Sequence, residues 1–491
     1  MNRRATFWLG AASAADYLAQ MLLPALLVRT LAPEEFGGYR ILWMTAQTAA
    51  LVLSLNMALN LIYLAPRHPL ERRGALLGNT LVYLVLVGSL AGLFATPLLR
   101  LLAGPHVQQL FPPWAVPTFV CAWMASLPFD HIGLIAGQPR SQARLAMIQT
   151  LLRVTLLGGA AWFTKSLNGI VIGMITLAAA RLCLVLWFAR SSRAFGSLRL
   201  DARLASTQVR YGIGFGLGAS LFALRGQADA WVAASLFDPA GVATISIALA
   251  IVPIISVIRQ TFTSATVSEV ARLFAAGEMQ AALQVNRRAN LATALVVFPL
   301  IGAFVAVAPD AISLVYTPAY LNAAWPARFY AIAYAVCVLE MSTVVQALGD
   351  GRFVMRSGVV LLVGGSAAAY LGASHAGLPG IALGSLAAMW LGSAWNIAHV
   401  AARCNTAWAS IQAWREMVWL GGLTTIAATV TGFGLSHIAV GSALARVVCG
   451  SASFAALYIG MAALWRTTRT LYTNPWLRRS AHAPPLAGSH P

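Results

Sequence analysis

Apolar stretches of about 20 residues, the length that carries a helix across a bilayer, follow one another along the chain, parted by short basic turns. That recurrence constrains the fold more than any motif does. The sequence is 59% hydrophobic and 10% charged over 491 residues, whereas a soluble domain carries about a quarter charged residues. Soluble cores cannot bury so many apolar runs, and a transmembrane barrel would show short alternating segments instead. The reading is an all-α polytopic membrane protein with about 14 transmembrane helices. The expected spans lie near 7–29, 37–62, 76–99, 116–137, 145–164, 168–190, 211–236, 241–262, 290–309, 327–348, 354–373, 378–400, 415–436 and 441–464.

The net charge of +19 would suggest nucleic acid in a soluble domain. Here the basic residues sit in turns, where they report topology. With the N-terminus inside, one face collects Arg3, Arg4, Arg67, Arg72, Arg73, Arg140, Arg144, Arg190, Arg193, Arg199, Arg203, Arg210, Arg272, Arg287, Arg288, Arg352, Arg356, Arg403 and Arg415, and the tail adds Arg466, Arg469, Arg478 and Arg479. The other face keeps Arg29, Arg40, Arg100, Lys165 and Arg328. Both termini are therefore expected in the cytoplasm. The start of the chain, "MNRRATFWLGAASAADYLAQMLLPALLV", runs too long for a cleaved leader and reads as an uncleaved first span. Cys121, Cys183, Cys337, Cys404 and Cys449 form no C-x-x-C, so neither a disulfide frame nor a metal site is expected.

The turn "GQPRSQAR" at Gly137–Arg144 shares its G-x-x-R-x-x-x-R spacing with "GDGRFVMR" at Gly349–Arg356, 212 residues on. "NGIVIG" from Asn168 is echoed by "PGIALG" from Pro379, and "LAPEEFGGYR" from Leu31 more weakly by "LFDPAGVATI" from Leu236. Landmarks in one order at nearly one offset indicate a duplicated unit. Six spans per unit make the repeats parallel, and parallel repeats imply two bundles with a cavity between them. The expected division is a six-helix lobe over 1–190, a cytoplasmic linker over 191–210, a second six-helix lobe over 211–402, an extra helix pair over 403–472 and a disordered cytoplasmic tail over 473–491. The segment from Ser268 to Arg288 reads as an amphipathic stretch along the membrane surface.

An apolar span followed by "LVRTLAPEEFGGYRILWM", a mid-chain span with Asp229 followed by "SLFDPAGVATISIALAI", and the turn "GDGRFVMRSGVVLLV" resemble the polysaccharide transporters of the multidrug/oligosaccharidyl-lipid/polysaccharide (MOP) flippase superfamily. The resemblance implies a V-shaped pair of six-helix lobes, alternating access, and flipping of an undecaprenyl-pyrophosphate-linked oligosaccharide across the bacterial inner membrane. Such flipping serves exopolysaccharide, capsule or O-antigen synthesis. Many O-antigen flippases of the family have twelve spans; fourteen resembles lipid II flippases and some exopolysaccharide exporters. The implied partners are the lipid-linked oligosaccharide, membrane lipid, and the polymerase and glycosyltransferases of the same pathway, with no nucleic acid. Two other readings stand beside it: a drug or cation antiporter of the same superfamily, and a membrane glycosyltransferase or polymerase. No extracytoplasmic loop gathers acids with histidine, as such an enzyme requires, so no enzyme and no catalytic residue is expected.

A flippase needs a hydrated cavity and cations that offset phosphate, a task suited to planar guanidinium groups. A charge inside a span costs about 2.5–3.5 kcal/mol on insertion scales, so each in-span charge is a candidate. Asp16, Arg153, Arg225, Asp229 and Glu340 lie mid-span. Each of them either faces the cavity or pairs structurally with a neighbour, and Arg225 and Asp229, four apart on one helix face, can neutralise each other. Arg29, Arg40 and Arg259 are the second choice. These three, with Arg181 and Arg446, lie nearer span ends, where snorkelling explains them. No cofactor or metal is called for, and coupling to a proton or sodium gradient stays open.

Overall fold

The structure, a computed structural model, describes residues 3–104, 107, 109–192, 194–437 and 441–464. Among the described residues every regular element is helical. Each of the fourteen expected spans lies on helix. Among the described residues eight helices are long and apolar enough to cross a membrane, or nine when Pro33–Leu53 and Met57–Arg67, bent by 45° at their junction, count as one. The tail 473–491 and its arginines fall outside the described residues, as do the surroundings of the alternating glycines Gly214, Gly216 and Gly218 within the helix Ala202–Leu236.

Two expected spans are fused in Gly351–Arg403, a run of 53 residues. A straight helix of that length would reach about 80 Å, far beyond one bilayer. It is not straight. Gly377 has φ 63° and ψ −147°, a conformation essentially reserved for glycine, and the chain reverses there. Beyond the reversal Gly380 packs on the backbone of Gly372, Gly384 on that of Ala368, and Gly392 on Leu361. These pairings define an antiparallel hairpin whose backbones meet where side chains are absent. At its open end Asp350 accepts from the Phe353 backbone N–H at 3.1 Å and faces His399 at 3.2 Å and Arg403 at 3.9 Å. That N–H, with the His399 and Arg403 charges, holds the Asp350 carboxyl below its ordinary range.

The duplication is written in the backbone. Positive φ values occur at Gly104 (81°), Gly137 (71°) and Lys165 (46°), and again at Thr317 (80°), Gly349 (68°) and Gly377 (63°). Each pair is 212 or 213 residues apart. The two G-x-x-R turns therefore share a left-handed glycine that ends one helix and starts the next.

The chain divides into two compact units, Met1–Ser246 and Ile247–Pro491. The expected lobe boundary near 191–210 does not coincide with that division. The expected linker packs on the N-terminal end of Leu70–Ala103, where Gly74 and Gly78 let the carbonyls of Ser197 and Arg199 approach. Asn79 exchanges hydrogen bonds with the Asp201 backbone, donating at 2.9 Å and accepting at 3.0 Å. The Asp201 carboxylate caps the next helix through the Arg203 and Leu204 N–H groups. So anchored, Ala202–Leu236 packs on Pro33–Leu53, Met57–Leu64 and Leu70–Ala103, within the first unit. The core of this unit includes Leu76, Phe129, Ile132, Leu145, Val185 and Phe188.

The second unit is organised around Met279–Tyr316, which packs against Val252–Ala275, Ala324–Tyr334 and the extra pair Trp414–His437 and Ala443–Leu464. Gly302 meets Thr424 and Phe454, and Arg446 Nε lies 2.9 Å from Asp310. The expected surface segment from Ser268 to Arg288 is different. Val252–Ala275 and Met279–Tyr316 continue as long helices to a tight turn at Gly277 (φ 78°). The polar period there belongs to the exposed ends of those helices, which is why it imitated an interfacial helix.

Candidate anion-binding cavity

Span four, largely apolar but for Asp130 and His131, does not stay an α-helix. Ala115–Ala125 gives way to a 3-10 turn at Leu127–Asp130 and resumes as Ile132–Ile135. Pro128 removes one N–H, and the break exposes others inside apolar surroundings, where each unsatisfied group is costly. Gln142 repairs the break. Its Nε2 donates to the carbonyls of Phe129 at 3.2 Å and Asp130 at 3.0 Å, and its Oε1 accepts from the Gly133 N–H at 2.8 Å. Gln142 belongs to the turn "GQPRSQAR", so that stretch holds the break together as well as carrying charge.

The break turns Asp130 inward, where it meets Arg181 of Leu167–Ser191 at 2.8 Å. The Arg181 side chain is 1% exposed. Its guanidinium carbon lies 4.4 Å from the Trp123 ring centre and 5.1 Å from that of Phe129. On the span-five helix Gln149 follows Gln142 on the same face, seven residues or about two turns on, and lies one turn before Arg153. With its amide oxygen toward the guanidiniums, Gln149 accepts from Arg153 Nη2 at 2.9 Å and Arg181 Nη1 at 3.2 Å. The surrounding donors fix that orientation. Arg153 Nη1 donates to Asp16 at 2.9 Å. Asp16 also accepts from Thr150 at 3.2 Å and Gln20 at 2.7 Å. Immediately after Arg153 the helix widens to a π segment, Val154–Gly158, a feature frequent at functional sites.

These groups line a cavity of about 260 Å³ with Tyr39, Arg40, Trp43, Gln47 and Trp123. Tyr39, Arg40, Trp43 and Gln47 come from Pro33–Leu53, and Trp43 packs against Trp123 at 4.7 Å between ring centres. The lining holds three arginines and two aspartates. Among the described residues, the buried Nε–H groups of Arg40, Arg153 and Arg181 meet no acceptor. A lining with surplus positive charge and surplus donors matches an anion.

The expected site residues fall in three places. Asp16, Arg153 and Arg40 line this cavity, the first two as an ion pair. Arg225 and Asp229 pair with each other at 2.9 Å on Ala202–Leu236 and are not among its lining residues. That helix still reaches the lining, since Gln227 donates to Gln47 at 3.3 Å. In the second unit Arg259 donates to Glu340 at 2.8 Å. Arg29 is exposed. Snorkelling does not describe Arg181, which is buried and paired. Sequence reasoning passed over Asp130, Gln142 and Gln149. An acid following a proline inside an apolar run, and two glutamines at helical spacing before an in-span arginine, were the available signals.

No family model and no curated relative matches the chain. Solved structures do. The lipid II flippase MurJ in an inward closed conformation aligns with a TM-score of 0.70 at 10% identity, covering 96% of this chain and 99% of that one. An inward-facing multidrug resistance MATE family transporter of the MOP superfamily aligns at 0.58 with 15% identity, covering 80% and 96%. A MOP superfamily transporter from Pyrococcus furiosus, described as having a binding pocket of reverse polarity, aligns at 0.52 with 14% identity, covering 82% and 95%. At these identities the likeness concerns the fold alone: this is a multi-pass membrane chain that shares the fold of these flippase and transporter structures.

Proposed function

We propose that the protein is a flippase for a lipid-linked oligosaccharide. In this reading it moves an undecaprenyl-pyrophosphate-linked unit across the bacterial inner membrane for exopolysaccharide, capsule or O-antigen assembly, by alternating access. It crosses the membrane fourteen times with both termini in the cytoplasm, and it works beside the polymerase and glycosyltransferases of its pathway. The carrying observation is the cavity lined by Arg40, Arg153 and Arg181 with three unaccepted N–H donors. A phosphate group accepts several such donors at once, and guanidinium is built for it. A drug or cation antiporter is served less well by a lining in which arginines outnumber acids. The likeness to MurJ covers 96% of the chain, and those to the MATE and Pyrococcus transporters 80% and 82%. The difference is the size of the extra helix pair with its tail, so the flippase branch fits the whole chain better.

Arg153 is the principal phosphate ligand in this proposal, with Asp16 holding its guanidinium between transport events. Arg225, Asp229, Glu340 and Arg259 support transport from their ion pairs. The test is polymer output in a strain deleted for the gene, normalised to membrane-inserted protein. Arg153→Ala, alone and with Asp16→Asn to avoid a stranded carboxylate, abolishes output, while Arg153→Lys recovers part of it. Full output from both alanine variants overturns the assignment.

A further inference from the structure

Arg153 and Arg181 each give an Nη edge to a carboxylate, so an anion that takes either edge must displace that carboxylate. The two carboxylates are held very differently. Asp16 accepts from three side chains: Arg153, Thr150 and Gln20. Among the described residues the Asp130 carboxylate takes one hydrogen bond, from Arg181 Nη2. Asp130 also ends the 3-10 turn at the break, next to His131 with its irregular φ of −132° and ψ of −9°. Its side chain is 42% exposed against 28% for Asp16. Arg181 is the reverse. It is stacked on Trp123 and Phe129 and tied to Gln149, so its Nη2 edge stays in place when Asp130 leaves. A fixed donor facing a loosely held acceptor is a preorganised exchange site.

We propose that Asp130 is an internal competitor for the substrate anion: a phosphate oxygen first takes its place on Arg181, before the Asp16–Arg153 pair opens. The inference rests on the flippase reading and adds the order in which the cavity opens. It makes Asp130 a specificity device, since only a ligand that out-competes a carboxylate for Arg181 enters. A neutral or cationic ligand cannot do so.

Purified protein in lipid nanodiscs is titrated with inorganic pyrophosphate by calorimetry, and export is followed in the deletion strain. Asp130→Asn and Asp130→Ser, each removing the competitor's charge, tighten pyrophosphate binding at least about fivefold, the worth of a half-exposed ion pair of about 1 kcal/mol. Asp350→Asn, at an acid that is not among the cavity's lining residues, does not tighten it. Arg181→Ala added to Asp130→Asn removes the gain. Unchanged or weaker binding in both Asp130 variants, with melting temperatures like that of the parent protein, overturns the proposal. If the parent exports polymer and Asp130→Asn binds no tighter, the exchange is wrong and the flippase reading stands. If the parent neither exports polymer nor binds pyrophosphate, both fail.

Discussion

Two broken spans, one in each unit, carry the same device to different ends. Span four breaks at Leu127–Asp130 and span ten at Ala335–Leu339, before resuming at Ser342–Ala347. Each break presents an acid, Asp130 or Glu340, 210 residues apart. Each acid pairs at 2.8 Å with an arginine from another helix, Arg181 or Arg259. Each break has its freed backbone served by side-chain amides. Gln142 does this in the first unit. In the second, Asn286 and Asn290 both donate to the Glu340 carbonyl, at 3.0 and 2.9 Å. The difference lies in what surrounds the acid. Glu340 is engaged twice, by Arg259 and by the Ser342 N–H at 2.7 Å, and the pair is balanced. Asp130 stands in a lining where arginines outnumber acids three to two. The break recurs in both halves; in the proposed account the surplus of guanidinium sets the first-unit copy apart.

The largest effect that can break this comparison is on transport. Arg181→Ala lowers polymer output at least about tenfold, since it removes a fixed phosphate donor worth several kcal/mol when desolvated, whereas Arg259→Ala keeps most output per inserted molecule. Equal losses would mean that the two breaks play one role. The next is on stability. Gln142→Ala strands three backbone groups and costs about 3 kcal/mol, while Asn286→Ala leaves Asn290 on the same carbonyl and costs about 1 kcal/mol. Thermal unfolding in detergent orders the two. A third contrast sharpens the turns. Gly377 (φ 63°, ψ −147°) tolerates no side chain, so Gly377→Ala costs about 2 kcal/mol. Its counterpart Lys165 (φ 46°, ψ 36°) sits in the ordinary left-handed region, so Lys165→Gly stabilises by up to about 1 kcal/mol.

The smallest effect is one of pH. The Asp350 carboxyl is lowered in the folded protein, so its contribution is present above the unfolded value of about 4 and is lost as pH falls through the folded one. Asp350→Asn removes that acid sensitivity, read as a smaller fall in melting temperature on acidification. The corresponding first-unit cap, Gln138, does not titrate.

The spans were legible because hydrophobic length is a local property, and the duplication because glycines needed for left-handed turns cannot be replaced freely. The breaks in spans four and ten were not legible, since Ala115–Ala125 and its continuation are as apolar as an intact helix. Asp16, Arg153, Arg225, Asp229, Glu340 and Arg259 stood out as in-span charges, and the Arg225–Asp229 pair followed from four-residue spacing. The partners of Arg153 and Arg259 lie 137 and 81 residues away, which only packing decides. Arg181 was discounted for its distance from mid-span. Its burial comes from Trp123 and Phe129, residues that spacing cannot bring to it. The packing of the linker was not legible either: it looks basic and free, but Asn79, Gly74 and Gly78 pin it.

The central claim is that the first-unit cavity takes the phosphate of a lipid-linked sugar. Binding of undecaprenyl-pyrophosphate-linked sugar to purified protein in nanodiscs, compared among the parent, Arg181→Ala and Arg259→Ala, tests it most directly. The account predicts that Arg181→Ala loses affinity at least about tenfold, near 1.4 kcal/mol or more, while Arg259→Ala binds like the parent protein. Parent-like affinity in Arg181→Ala, with Arg259→Ala losing binding, would contradict it.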